Sequence, residues 1–292
     1  MRIVLTSILA TVLAVSGCAK RHEALSPKAA LEAGWQDYRL GEFDRATARF
    51  DEAGAATSGA TDEHLQALYG QATTWNLRRP GEDPVKAKAL FEEIIRLAPT
   101  NEMAAWSTLA LARMKHLVPV GEEPDYVAVR AAYQEVIDKF PGHLAAKEAF
   151  LYLNATLAAT LKDKETRQAV ASLEAYVNQA DESVFVGTCC SLLANCYTTL
   201  DEPEKRLAIE IRALTRMELD PQNPFNDLAW AYWNIATIAE FEVGDFDVAR
   251  EYYHKLIEEY PTDIRKYGSK LALKRMDDLE ARLRTEEMGA RP

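Results

Sequence analysis

Apolar residues recur along this chain at steps of three and four, the spacing that gathers them on one face of a helix and not the alternation of a strand. The clearest stretch is GEFDRATARFDEA at Gly41 to Ala53, and GDFDVAREYYHKL at Gly244 to Leu256 repeats its pattern. Both read Gly-x-Phe-x-x-Ala-x-x-x-aromatic-x-x-apolar, so that Gly41, Phe43, Ala46, Phe50 and Ala53 correspond to Gly244, Phe246, Ala249, Tyr253 and Leu256. Between them a small or β-branched position recurs at Ala87, Val129, Ala169 and Ile209, followed by a packing position at Phe91, Tyr133, Leu173 and Ala213. The beat is roughly 40 residues, inside the range of helical solenoids. Pro99, Pro141, Pro221 and Pro261 fall in step with it and Asp181 takes the remaining slot; proline just past a helix cannot continue the hydrogen-bond ladder.

This pattern predicts a run of helical hairpins. Ala46 and Ala249 are small where two helices cross closely, and Phe50 and Tyr253 fill the gap against the neighbouring hairpin. Ser26 suits an N-cap and Pro27 the first turn of the opening helix. At the other end Thr262 is expected to cap a last helix over 262–286, apolar at Ile264, Leu271, Leu273, Met276, Leu279 and Leu283 and charged elsewhere. Such a helix, polar on its outer face, closes the exposed end of a solenoid; a short tail, 287–292, follows.

The ladder resembles the tetratricopeptide repeat, whose second half carries Gly, an aromatic, Ala, an aromatic, Ala and a terminal Pro at these spacings. The resemblance runs from Ser26 to Pro261, clearest in the first and last repeats and faintest in the fourth and fifth. It implies an all-α, right-handed α-α superhelix of about six hairpins plus a capping helix. Repeats of this family are usually shorter. The extra residues sit mainly between the two helices, in LRRPGEDPVKA and HLVPVGEEPDYVA, where Pro and Gly mark extended turns. HEAT-like and armadillo-like solenoids share the period, but the Gly-x-Phe turn followed by Ala and an aromatic is not their signature.

The first residues follow another pattern. Arg2 precedes an apolar run from Ile3 to Val15, about 13 residues, well short of the roughly 20 that cross a hydrocarbon core. It ends in small residues, as a cleaved export signal does. Val15-Ser16-Gly17-Cys18 resembles the lipobox of bacterial lipoproteins, departing only in Val at the first place. The resemblance implies a signal peptide over 1–17, lipidation of Cys18, and a tether, 18–25, that holds the repeat domain (26–261) near a membrane. Ala19 follows the cysteine where inner-membrane retention of the enterobacterial type often has Asp, so the expected location is the periplasmic side of the outer membrane.

Composition narrows the function further. With 48% hydrophobic and 27% charged residues the chain can bury a large core. Its formal charge of −11, from 45 acidic and 34 basic residues, argues against a nucleic-acid surface. Once Cys18 is set apart, Cys189, Cys190 and Cys196 cannot all pair within one chain. On one helix Cys189 and Cys196 lie about 10 Å apart along the axis, beyond disulfide reach of about 7 Å. No His stands nearby and the two-residue spacing of a zinc site is missing, so core-filling thiols are the better reading. His22, His64, His116, His143 and His254 have no metal-like spacing, the acidic pairs read as solvated faces, and no glycine-rich phosphate loop is present. Neither enzyme activity, cofactor nor metal is expected.

The aromatic stretch DLAWAYWNIATIAEF holds Trp230, Tyr232 and Trp233. Helix core is its plainer reading; a surface for an extended peptide or a glycan is the functional one. The repeat resemblance places Trp35, Tyr38 and Arg39, Gln71, Asn195 and Asn234 facing the same kind of groove. The expected role is therefore a membrane-anchored scaffold for protein partners of the cell envelope, with an aromatic peptide- or glycan-binding groove as the alternative.

Overall fold

The computed structural model describes residues 25–180, 183–218, 223 and 226–289. Among them thirteen α-helices follow one another with no strand: α1 (Pro27–Arg39), α2 (Phe43–Ala55), α3 (Asp62–Leu77), α4 (Pro84–Leu97), α5 (Glu102–His116), α6 (Tyr126–Lys139), α7 (Leu144–Ala158), α8 (Asp163–Gln179), α9 (Val184–Thr199), α10 (Pro203–Glu218), α11 (Leu228–Ile238), α12 (Phe246–Glu259) and α13 (Arg265–Gly289). A π-helical turn, Ala239–Val243, prolongs α11. The chain divides into two compact units at Leu97/Ala98. The first contains the hairpins α1/α2 and α3/α4; the second contains α5/α6, α7/α8, α9/α10 and α11/α12 with α13 against the last. The protein is an all-α helical-repeat molecule.

The periodic residues are the core. Ala46, Ala87, Val129, Ala169, Ile209 and Ala249 are all buried, as are Phe50, Phe91, Tyr133, Leu173 and Tyr253. The fifth repeat departs: Ala213 is half-buried, and Leu214 beside it enters the C-terminal core. An alanine side chain is too short to fill the space that an aromatic fills elsewhere. In the first unit Phe50 lies under two glycines. A Cβ on Gly34 of α1 would stand 2.7 Å from its ring, and one on Gly70 of α3 2.5 Å, so both helices approach closer than any side chain allows.

The turn between the two helices of a hairpin needs a left-handed residue. Gly41 and Gly244 supply it in the first and last repeats, with φ of 78° and 79°. In the α7–α8 and α9–α10 turns the same conformation falls on Leu161 (φ 53°) and Asp201 (φ 55°). The geometry persists while the glycine marker is gone, which is why these repeats are faint in the sequence. The longer linkers fall at 78–83 and 117–125, where the Pro and Gly clusters place them.

The C-terminus departs from expectation in three respects. Thr262 does not cap the last helix: α13 begins at Arg265, and the Asp263 carboxylate accepts its backbone N–H at 2.8 Å. The outer face of α13, though mostly charged, is not wholly polar. Ser269, Ala272 and Met276 are buried and Leu273 half-buried, but Ile264, Leu271, Leu279 and Leu283 are exposed. At 1.5 Å per residue, the 25 residues of α13 outrun the 14 of α12 that cover it. The helix also continues past 286, to Gly289; the rest of the expected tail lies outside the described residues.

Candidate partner-binding surfaces

In the first unit the aromatic residues of α1 form a connected group. Trp35 meets Phe50 edge-on at 5.0 Å, Tyr38 at 5.6 Å and Tyr69 of α3 at 6.4 Å between centroids. Trp35, Tyr38 and Tyr69 are each half-buried, so their inner edges belong to the core and their outer edges face solvent. Burial pushes the Tyr38 hydroxyl pKa up. Arg39 is exposed at the end of α1, and Gln71, half-buried, lies against Gly54 of α2. Sequence reasoning singled out Trp35 and Tyr38 and missed Tyr69, which the α1/α3 contact brings to them.

In the last two hairpins of the second unit charge is distributed unevenly between the two helices. α9 and α11 contain no Asp, Glu, Lys or Arg, whereas α8, α10 and α12 each contain at least five. The exposed face of α9 presents Thr188, Ser191, Asn195 and Thr198, a strip of uncharged hydrogen-bonding groups. Asn195 is thus on a free surface. Asn234 is not: its amide bonds the Glu210 carboxyl of α10, whose pKa burial pushes up.

Trp230 and Trp233 lie one turn apart on α11 and differ in environment. Trp233 is half-buried, edge-on to Tyr253 at 5.6 Å, and its ring fills the space above Gly268 of α13, where a Cβ would stand 2.8 Å away. Trp230 is 50% exposed. Asp227, which caps α11, also pairs with Arg265 at 3.1 Å and so ties the starts of α11 and α13 together. Ile264, Tyr267 and Leu271, just before and within the first turns of α13, are exposed residues that sequence reasoning assigned to a cap or passed over.

The thiols behave as core. Cys189, Cys190 and Cys196 are buried and unpaired in disulfides. Burial raises their pKa values to about 12, 11 and 11. The Arg216 guanidinium donates to the Cys190 sulfur at 2.9 Å. Among the described residues no group of three or more His, Cys, Asp or Glu side chains is arranged to hold a metal, and no helix is long and apolar enough to cross a membrane. Cys18 and the apolar run before it lie outside the described residues.

Stacked hairpins with small residues at the crossings and aromatics between them define a helical-repeat protein of tetratricopeptide-like type. Residues 227–263, which span α11, the π turn and α12, match the tetratricopeptide repeat family. No curated protein matches the chain. Among solved structures it is similar to BtubC (BKLC) from P. vanneervenii, at 14% identity over 80% of this chain and 89% of that one, with a TM-score of 0.49. It is also similar to the assembly chaperone of RpL4, Acl4 (residues 1–338), at 15% identity over 89% of this chain and 99% of that one, with a TM-score of 0.44.

Proposed function

We propose that this protein is a non-catalytic scaffold that holds a protein partner against the first helices of its hairpins, and that a lipidated Cys18 anchors it at the periplasmic face of a bacterial outer membrane. The observation that carries the scaffold reading is the charge-free α9, with Asn195 exposed among hydroxyls. Uncharged amide and hydroxyl groups on a rigid helix exchange hydrogen bonds with a peptide backbone without the desolvation cost of buried ions. The half-exposed Trp35, Tyr38 and Tyr69 offer the first unit a comparable aromatic surface. Aromatic groups held in place by packing make strong binding anchors because little side-chain freedom is lost on docking.

A photo-crosslinking residue at Asn195 in native cells tests this reading. One discrete protein adduct, absent when the same residue replaces Glu204 on the charged α10, supports it; equal adducts at both positions defeat it. The anchor rests on the Val15–Cys18 pattern and is tested separately. Metabolic labelling with an alkyne fatty acid is expected to mark the wild type and not Cys18→Ala, and equal labelling refutes it. Membrane attachment would confine the scaffold to two dimensions and raise its effective concentration toward other membrane-bound components.

A further inference from the structure

At the start of α13 exposed apolar residues and basic residues coincide. Between residues 181 and 263 the chain has 17 acidic and 6 basic residues; from 264 to 292 it has 5 acidic and 8 basic. Ile264, Tyr267 and Leu271, at helical steps of three and four, are 88%, 72% and 48% exposed. Lys266, Lys270 and Lys274 follow one another at four-residue steps in the adjoining row of the same helix. Asp227–Arg265 and Trp233–Gly268 lock α11 against this end of α13. Asp227 and Asp263 share the single guanidinium of Arg265, and Asp278 pairs with Lys274 at 2.6 Å, so with Lys266 and Lys270 the four cations of this edge exceed its three carboxylates.

A tyrosine and two aliphatic residues bordered by lysines on a folded helix are a combination that rests at a bilayer interface. The ring sits at headgroup depth, the aliphatics reach the acyl boundary, and the lysines meet anionic phosphates. The charge sign decides the occupant. A cationic border around an apolar face is complementary to anionic lipid, and the strongly acidic hairpins before it would be repelled by that same surface. Contact is therefore confined to this edge. We propose that the α13 stripe is a peripheral docking site for an anionic lipid surface. The inference goes beyond the scaffold reading and is independent of Cys18, since it rests on the exposed residues and charge of α13 alone.

The test uses the full chain carrying Cys18→Ala, so that lipidation plays no part. A single cysteine is placed at Leu271, or at the exposed Ala208 on α10 as reference, and labelled with a polarity-sensitive fluorophore; the buried native thiols stay unlabelled. With phosphatidylglycerol vesicles the label at 271 is expected to shift to the blue and be quenched by a lipid-borne quencher, while the label at 208 is unchanged. Pure phosphatidylcholine vesicles should give at least a fivefold smaller response at 271. Lys270→Glu with Lys274→Glu should lower phosphatidylglycerol partitioning at least fivefold at unchanged thermal midpoint. No shift at 271, an equal shift at 208, or an equal response to the two lipids overturns the proposal, as does a response at 271 evoked by a partner protein without vesicles. A positive result in this background leaves the Cys18 labelling outcome untouched, so the two readings fail separately.

Discussion

Arg275 of α13 directs Nε and Nη2 at the same carboxylate oxygen of Glu240, at 2.9 and 2.5 Å, while the other oxygen of Glu240 accepts the Tyr253 hydroxyl at 2.9 Å. Glu240 sits in the π turn and its side chain is only 4% exposed, so a buried negative charge is held by one phenol and one guanidinium from the next two helices. The link fastens the terminal helix to the last hairpin. The carboxylate in turn pushes the Tyr253 pKa up, beyond the push from burial. The extra π residue has a visible consequence. The Asp245 N–H reaches back to the Ala239 carbonyl, six residues, where the Glu42 and Glu202 N–H groups in other repeats reach back five.

Removing one member of this group should be costly, because the remaining charge stays buried. Arg275→Ala is expected to destabilise by about 3 kcal/mol, and Glu240→Leu combined with Arg275→Leu to recover most of that loss. Tyr253→Ala should cost about 3 to 5 kcal/mol through the cavity, and Tyr253→Phe about 2 kcal/mol through the lost hydrogen bond. Urea unfolding of the four variants checks the order. A Tyr253→Ala protein as stable as wild type would remove Tyr253 from the core.

Phe50 and the two glycines above it make a second prediction. Gly70→Ala and Gly34→Ala each force a methyl group into the ring and should cost about 1 to 3 kcal/mol. Phe50→Leu in the Gly70→Ala background should return part of the loss, although Phe50→Leu alone destabilises. Additive losses in thermal unfolding would show that the contact is not the cause.

The left-handed turns can be tested in both directions. Gly244→Ala should destabilise by about 1 to 2 kcal/mol, since an L side chain is strained at φ 79°. Leu161→Gly should stabilise by up to about 1 kcal/mol, because the strain removed outweighs the entropy that glycine adds to the unfolded chain. Denaturant midpoints measured on the two variants should move oppositely.

The thiols give a pH dependence. Cys189, Cys190 and Cys196 titrate higher in the folded chain than unfolded, so the folded state retains protons that the unfolded state has lost. Their contribution to stability is complete below about pH 9 and disappears as the pH rises through 11 to 12. Thermal midpoints should fall across that window, and Cys189→Ala should shrink the fall even if it lowers stability at pH 7. Thiol reagents at pH 8 should label the three cysteines only after denaturation.

Much of the fold was legible because helical periodicity and steric need coincide in it. Where two helices cross closely only a small residue fits, so Ala46, Ala87, Ala169 and Ala249 announced themselves, and the large residues four positions on, Phe50, Phe91, Leu173 and Tyr253, did so by filling the space beside them. The fourth and fifth repeats were faint because Leu161 and Asp201 adopt a backbone conformation that sequence statistics reserve for glycine. The candidate surfaces were less legible. Asn195 and Asn234 stand at comparable repeat positions, yet one faces solvent and the other bonds Glu210. Trp230 and Trp233 are three residues apart, yet only one is open.

By itself the sequence determined the helical class, the beat of the hairpins, the crossings and the packing residues, because these follow from spacing and side-chain volume along a single helix. Tertiary structure alone decided which aromatic edges reach solvent, that Glu240 is buried with Arg275 and Tyr253, and that Ile264, Tyr267 and Leu271 at the start of α13 are left exposed. The physical reason is that exposure belongs to the contact between helices, set by their relative length and register, and no periodicity within one helix encodes either.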